Sequence, residues 1–331
     1  MSDPFPIPRK LWEHPNPDTT LAARFMRVAN QKYNLNPPLE TWDDLHAWSV
    51  NHRSDFWGLL FAEHPIIHHG HYKRVVDETA RMDSVPTWFE GVKVNFAENV
   101  LFWPDAQDLG KASTKRKEDW RVACTEVREG CKEIRQCTWK ELRSWVGLVA
   151  NAMRARGVRK GDRVAVVASN SFDTLTVFMA VTSLGGIFSS SSTDMGTRGV
   201  LDRLRQIEPK FVFCDDWAIY NGKSIDLRPK IKEIEEGMRG VRNFQVLVSM
   251  PRWQEKPQDI SGVPRCETMT DFVKAAQENE NLRFEHINFH DPFLIVYSSG
   301  TTGKLKPHSL EPWCESRLTK TPLYQQACQN A

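Results

Sequence analysis

The sequence predicts an α/β fold: a mostly parallel sheet with flanking helices. Three observations carry this. Short apolar segments recur at Val164–Ala168, Phe211–Cys214, Phe244–Ser249 and Phe293–Tyr297. Segments with apolar residues at helical spacing lie between them. The composition, 40% hydrophobic and 26% charged over 331 residues, is that of a globular chain able to bury such strands. Strands covered on both faces read as continuous apolar runs, and covering both faces takes alternating helices.

Residues 1–105 are the least regular part. They are rich in Trp, Pro and His, with Trp42, Trp48, Phe56, Trp57, Trp88, Phe96 and Trp103 spread along them. One helix is expected near Trp42–Leu60. The rest reads as an irregular N-terminal layer packing its aromatic rings on a larger domain. The charged run 110–121 reads as a solvated loop. Val122–Thr125 and Glu133–Cys137 form an expected hairpin. Thr138-Trp-Lys-Glu141 is a capping box, in which hydroxyl and carboxylate satisfy orphan amides at a helix start. Leu142, Trp145, Val146, Val149 and Met153 continue that helix, and Gly157 stops it.

The strand Val164–Ala168 comes next, then a helix over Phe172–Leu184, a short strand Ile187–Ser190 and a helix Gly199–Ile207 closed by Pro209. Phe211–Cys214 is a strand, Leu227–Met238 a charged helix, and Phe244–Ser249 a strand. Met250–Pro264, with three prolines, reads as a surface connection. A helix over Met269–Gln277 and the strand Phe293–Tyr297 complete the regular part.

Several function classes are disfavoured. Forty-four basic residues stand against 42 acidic ones, a balance that speaks against nucleic acid or an anionic membrane as main partner. No apolar run approaches the roughly 20 residues that a membrane span needs. The seven cysteines include no C-x-x-C pair, and the N-terminus has no apolar core of a secretory signal. Reduced thiols in a cytoplasmic protein are the expectation. No residue is assigned as a metal ligand. His64, His68, His69 and His71 read as a partly exposed histidine-rich loop, and Glu98 and Asp194 as isolated carboxylates. Ser189–Ser192 reads as a strand end lining the carboxyl edge of the sheet.

The chemistry is expected in one loop. Strand Phe293–Tyr297 runs into Ser298-Ser-Gly-Thr-Thr-Gly-Lys-Leu-Lys306. Gly300 and Gly303 permit close backbone approach to a ligand. Ser298, Ser299, Thr301 and Thr302 offer hydroxyl donors, successive amides can form an anion nest, and Lys306 adds a compact charge. The run is not a Walker A sequence, because Ser298 stands where that pattern needs its first glycine and Leu305 where it needs serine or threonine. A loop beyond the carboxyl end of a central parallel strand is expected, where open α/β sheets bind ligands. Placement on a hairpin or at the opposite sheet edge would sink the phosphate assignment made from this topology.

Ile295 through Lys306 resembles the AMP-binding signature of the acyl-adenylate-forming enzymes. Further segments resemble the acetoacetyl-CoA synthetase branch of that superfamily: Asp43–Val50, Ser54–Trp57, Trp88–Val100, Gly199–Lys210 and Tyr220–Lys223. The resemblance implies part of the N-terminal large domain of the adenylate-forming fold. It implies a ligase in which a carboxylate, acetoacetate, attacks the α-phosphate of ATP, and CoA then displaces AMP from the acyl-adenylate. ATP, Mg2+ and CoA are the implied cofactors and co-substrates. Residues Ser298, Ser299, Gly300, Thr301, Thr302, Gly303 and Lys306 are the implied ATP-phosphate ligands.

Leu305 departs from the family, which has proline there. Beyond Ser309 the likeness fades, and residues 310–331 lack any amphipathic period. The resulting division is 1–105 for the aromatic-rich segment, 106–309 for a partial AMP-binding domain and 310–331 for a divergent, poorly ordered tail. A C-terminally truncated ligase without appreciable activity is expected. The alternative is a non-catalytic nucleotide-binding or interaction protein descended from one.

Overall fold

The computed structural model of the protein describes residues 11–81, 86–131, 133–253 and 256–297, and the backbone of Pro307–Leu310. Three helices open it: α1 (Leu21–Tyr33), α2 (Trp42–Asn51) and α3 (Arg53–Glu63). The helix expected near Trp42–Leu60 is therefore two, parted at His52, whose φ of −127° and ψ of 56° are not helical. Helix α1 was not expected, because only Phe25 and Ala29 are fully buried along it. Phe25, Ala29, Leu39, Leu45, Trp48 and Leu59 form a small core of the layer's own. Trp48 and Trp88 are buried as aromatic packing predicts, whereas Trp42 is 70% exposed.

Strands β1 (His68–His69) and β2 (Lys93–Val94) pair antiparallel, and α4 (Phe96–Leu101) follows at once. Asn95 caps α4 by accepting from the Glu98 amide at 3.0 Å. β3 (Trp103–Pro104) pairs with β4 (Ala112–Ser113). Hairpin β5 (Val122–Val127) and β6 (Ile134–Thr138) matches the expectation, as does the capping box that starts α5 (Trp139–Ala155). Leu142, Val146, Val149 and Met153 of α5 are buried, but Trp145 lies off the stripe and is 37% exposed.

The charged run 110–121 is mostly exposed, as expected of a solvated loop, but one of its cations is not spent on solvent. Lys117 is half-buried, and its Nζ donates to the carbonyls of Asn99, Val100 and Phe102 at 2.8, 2.7 and 2.7 Å. A cation thus satisfies acceptors that the end of α4 leaves open. Burial, then the nearby Arg143, lowers its pKa to about 8. Arg143, itself buried, donates to Leu101 O at 3.2 and 2.9 Å and to Lys117 O at 2.5 Å, and pairs with Asp119 at 2.8 Å.

The main sheet follows: β7 (Arg163–Val167), α6 (Phe172–Ser183), β8 (Ile187–Ser191), α7 (Thr197–Ile207) and β9 (Phe211–Asp215). A hairpin, β10 (Trp217–Tyr220) and β11 (Lys223–Asp226), interrupts before α8 (Arg228–Met238) and β12 (Val246–Met250). Then come β13 (Cys266–Thr268), α9 (Met269–Val273), β14 (Ile287–Asn288), β15 (Leu294–Tyr297) and β16 (Pro307–Leu310). Among the described residues the order is β13-β12-β9-β7-β8-β15-β16, and all these strands are parallel except β16. Val164 and Val166 pack with α5, α6 and α9 on one face. Ala165 and Val167 pack with α7 and α8 on the other. The predicted α/β class holds. The stretch read as a surface connection is partly buried: Arg252 is 7% exposed, and the amides of Arg252 and Gln258 donate to Asp216 at 2.7 and 2.9 Å.

Strand β14 joins β2 antiparallel, which ties the N-terminal layer to the segment before β15. Gly147 of α5 touches that segment's start. A Cβ there would stand 1.9 Å from the Glu280 carbonyl oxygen. One turn on, Asn151 Nδ2 donates to Asn279 O and Asn281 O at 2.7 and 3.0 Å. No helix of the described residues is long and apolar enough to cross a membrane.

Candidate nucleotide-binding cleft

The sheet's strand order reverses about β7. Helix α6 carries the chain outward to β8, and the next crossover, through α7, returns past β7 to β9. Connections leaving adjacent strands in opposite directions open a crevice at their carboxyl ends, the usual ligand position in such sheets.

A cleft of about 740 Å³ lies there, within the range of small-molecule sites. Ala168–Phe172 at the end of β7 and Ser190–Ser192 at the end of β8 form its floor, and Cys124–Val127 of β5 forms a wall. Ser190–Ser192 thus line the carboxyl edge as the sequence predicts, whereas Ser189 is buried within β8. Ser171 caps α6, its Oγ accepting from the Thr174 amide at 3.1 Å. The positive end of the α6 dipole therefore opens on the cleft.

Two side chains missed in the sequence shape this edge. Asp215 ends β9, and one oxygen accepts from the Ser169 amide at 2.8 Å and the Ser169 hydroxyl at 2.6 Å. It fixes the turn after β7. Burial raises its pKa to about 6, against the lowering effect of those Ser169 bonds. The signal was present, since two acids close the apolar run Phe211-Val-Phe-Cys-Asp-Asp216. Tyr297 ends β15. Its hydroxyl donates to Arg203 O at 3.1 Å, and the Arg203 guanidinium lies 4.8 Å from its ring centre. Burial pushes its pKa up to about 12, so the phenol stays protonated and able to donate.

The loop residues Ser298, Ser299, Gly300, Thr301, Thr302, Gly303 and Lys306 lie outside the described residues, as does the tail 311–331. Their flanks are described. β15 is parallel to β8 and its carboxyl end points to the cleft edge, as expected. Two expectations fail. β15 is next to the sheet's edge rather than central, and the chain returns as antiparallel β16, pairing Tyr297 with Pro307. β15 and β16 are thus paired as a hairpin, the placement that sinks the assignment of phosphate binding from topology. The topological part of that argument is lost. What remains is the composition of the loop and its place at the carboxyl edge.

Glu126 is the cleft's only described carboxylate; it pairs with Arg128 and accepts from the Phe172 amide at 3.1 Å. The described lining thus lacks the oxygen set of a resident Mg2+ site. Glu98 and Asp194 are not isolated. Glu98 meets His286 Nε2 at 2.8 Å, and Asp194 accepts from the Ser192 hydroxyl. The four sequence-clustered histidines do not converge. His68 Nδ1 faces Ile66 O at 2.9 Å, and His64 lies by Phe25 at 6.5 Å between rings. Only His69 meets another histidine, His286, at 4.1 Å between rings.

An open α/β sheet with a hydroxyl-lined crevice at its strand reversal defines the general class: an α/β domain that binds its ligand at the carboxyl edge of the sheet. The chain belongs to the AMP-binding enzyme family, which matches residues 111–310. Residues 42–100 match the acetyl-coenzyme A synthetase N-terminus. Acetoacetyl-CoA synthetase from Macaca fascicularis is 36% identical over 298 residues, covering 89% of this chain and 42% of that protein. Malonamoyl-CoA synthetase from Penicillium aethiopicum is 36% identical over 300 residues, covering 89% and 40%. The solved acetoacetyl-CoA synthetase from Streptomyces lividans superposes with a TM-score of 0.73 at 27% identity, over 87% of this chain and 41% of that one. The chain spans about two fifths of the length of these relatives.

Proposed function

We propose that this chain carries the ATP-binding part of an acid–CoA ligase of the acetoacetyl-CoA synthetase type. The observation that carries the reading is the hydroxyl-lined cleft at the sheet's reversal, inside the span matched by the AMP-binding family. In this reading ATP arrives as its Mg2+ complex, with the ion held by the triphosphate. Ser298, Ser299, Gly300, Thr301, Thr302, Gly303 and Lys306 embrace the phosphates, and Tyr297 anchors the start of their loop through Arg203 O. An acid carboxylate displaces pyrophosphate to give the acyl-adenylate, and CoA then displaces AMP. Acetoacetate and malonamate, the acids implied by the two relatives' names, share a carbonyl–methylene–carboxylate skeleton and differ in a methyl against an amino group. Acetoacetate is the proposed substrate, because that name recurs among the relatives. The proposed organisation is an N-terminal segment 1–105, a partial AMP-binding domain 106–309 and a divergent tail 310–331, in a cytoplasmic protein with reduced thiols.

Calorimetric titration of the chain with Mg–ATP tests the site. Lys306→Ala should weaken binding about tenfold or more, because a charge-assisted contact is worth about 1.5–3 kcal/mol. Absence of ATP binding, or equal binding by the variant, would overturn the assignment.

A second reading, for these 331 residues by themselves, is nucleotide binding without turnover. Adenylation needs both reactants held together, an effect worth about 7–11 kcal/mol in well-oriented cases. Acetoacetate-dependent AMP release separates the readings. The 331 residues tested alone are expected to show none above background, and turnover would favour the first.

A further inference from the structure

We propose that His69, Glu98 and His286 form a Zn2+ site that ties the N-terminal layer to the segment feeding β15. One potential ligand atom from each lies within 4.8 Å of the others. Glu98 and His286 are 188 residues apart in sequence yet meet at 2.8 Å, and the His69 ring lies 4.1 Å from that of His286. Two imidazoles and one carboxylate are a zinc-type donor set, completed by water in the fourth position. The same set is too rich in nitrogen for Mg2+ or Ca2+. Tetrahedral zinc holds its ligand atoms about 3.3 Å apart.

The backbone around the ligands is already held. Asn95, 0% exposed, reaches two of the three positions. Its Oδ1 accepts from the Glu98 amide at 3.0 Å, and its Nδ2 donates to Glu285 O, next to His286, at 2.8 Å. The same Nδ2 donates to Thr182 O at 2.9 Å, which references both ligands to α6. His69 is placed by β1, whose partner strand β2 also pairs with β14, directly after His286. One small sheet thus sets the spacing of the two imidazoles, and one buried amide sets the carboxylate against the second. The backbone that carries the three ligands is thereby fixed before any metal binds. The access side is open: His69 is exposed, and Asp108 Oδ1 and His69 Cε1 lie 3.2 and 3.7 Å from the point where a Cβ on Gly110 would stand. A cation can therefore enter past a carboxylate.

A cross-link at this place joins segments far apart in the chain, so bound metal stabilises the folded state by mass action. The test uses the whole chain, chelator-stripped, with Zn2+ and Co2+ alone as probes. One equivalent of Zn2+ should bind, with Tm raised by about 5 °C at a hundredfold excess over Kd. Co2+ should give the intense visible bands of tetrahedral coordination. The double variant His69→Gln/His286→Gln should lose at least about a hundredfold in Zn2+ affinity, whereas His68→Gln and His71→Gln should retain it. Zn2+ binding that survives the double variant, equal loss with His68→Gln, or a weak octahedral Co2+ spectrum would overturn the proposal. Should the double variant not fold, the wild-type chain decides. Zn2+ must shield His69 and His286 from diethyl pyrocarbonate in peptide mapping, and failure to shield them would overturn it equally.

Discussion

The N-terminal layer and the main sheet bury their aromatic and aliphatic side chains by different means. In the sheet, burial alternates: successive residues of β7 serve opposite faces, and each face meets its own helices. In the layer, rings interlock in stacked, tilted and edge-on pairs. Phe61 stacks on Phe89 at 4.7 Å, Trp57 meets Trp88 at 5.7 Å, and Phe89 meets Phe289 at 4.9 Å. Large rings can fill a core at any spacing, so the chain carrying them needs no period. The seam between the two regions is polar and buried, held by Lys117, Arg143 and Asn95. Periodic burial announces itself in a short window of sequence, whereas an interlock is defined only by its distant partners.

The largest effect that would sharpen this contrast lies in the sheet. Phe213 is fully buried, 5.2 Å from Phe272. Phe213→Ala should cost about 3–5 kcal/mol in urea unfolding. Phe61→Ala, in the half-buried interlock, should cost less, and an equal or larger loss there would break the distinction.

The seam comes next. Arg143→Met keeps the stem but strips Leu101 O and Lys117 O of their donor, which should cost about 2–4 kcal/mol. Hydrogen exchange should show α4 amides losing protection while β7 and β9 amides keep theirs. Uniform loss would mean that the seam belongs to the sheet's own cooperative unit.

A pH effect of about 2–3 kcal/mol is expected from Asp215. Its folded pKa of about 6 lies above the ordinary 3.8. The folded state therefore holds the proton more tightly. The resulting stability is fully present below about pH 4 and is lost as pH rises through about 6. Asp215→Asn should flatten that part of the profile, read from urea midpoints across the window. An unchanged profile would place the buried charge elsewhere. The smallest effect is Thr138→Ala, which removes the cap of α5 and should cost about 1 kcal/mol in the same assay.

Much of the sheet was legible in the sequence. Thr138 and Glu141 marked the start of α5, and Gly157, at φ +85°, its end. Strands β7, β8, β9 and β15 fell within a residue or so of their apolar runs. What was missed divides by cause. Asn221-Gly222, both at positive φ, is the strongest short hairpin signal and turns β10 into β11, yet it went unused as a turn. Helix α1 shows too few buried positions to stand out. Glu98 with His286, and Lys117 with the end of α4, had no local signal, because the partner sits elsewhere in the chain. Of the candidate site, the serines at the end of β8 were foreseen. The roles of Asp215 and Tyr297 were not, because they depend on the strand order. The phosphate loop itself was legible only as a motif.

The bare α-carbon at Gly147 limits how this chain can vary. Helix and backbone touch there without a side chain between them, so the separation of α5 from residues 279–281 is set by atoms common to every amino acid except the one that is missing. Any larger residue must lift that segment by more than an ångström, and Asn151 would lose its two carbonyls on the way. No described helix lies between Glu280 and Tyr297 to absorb the shift. The change would travel along an extended tether through His286 and β14 into the strand from which the loop departs. Position 147 acts as a length gauge for that tether, and a methyl group far from the cleft would be felt as a misplacement of the loop's first residue.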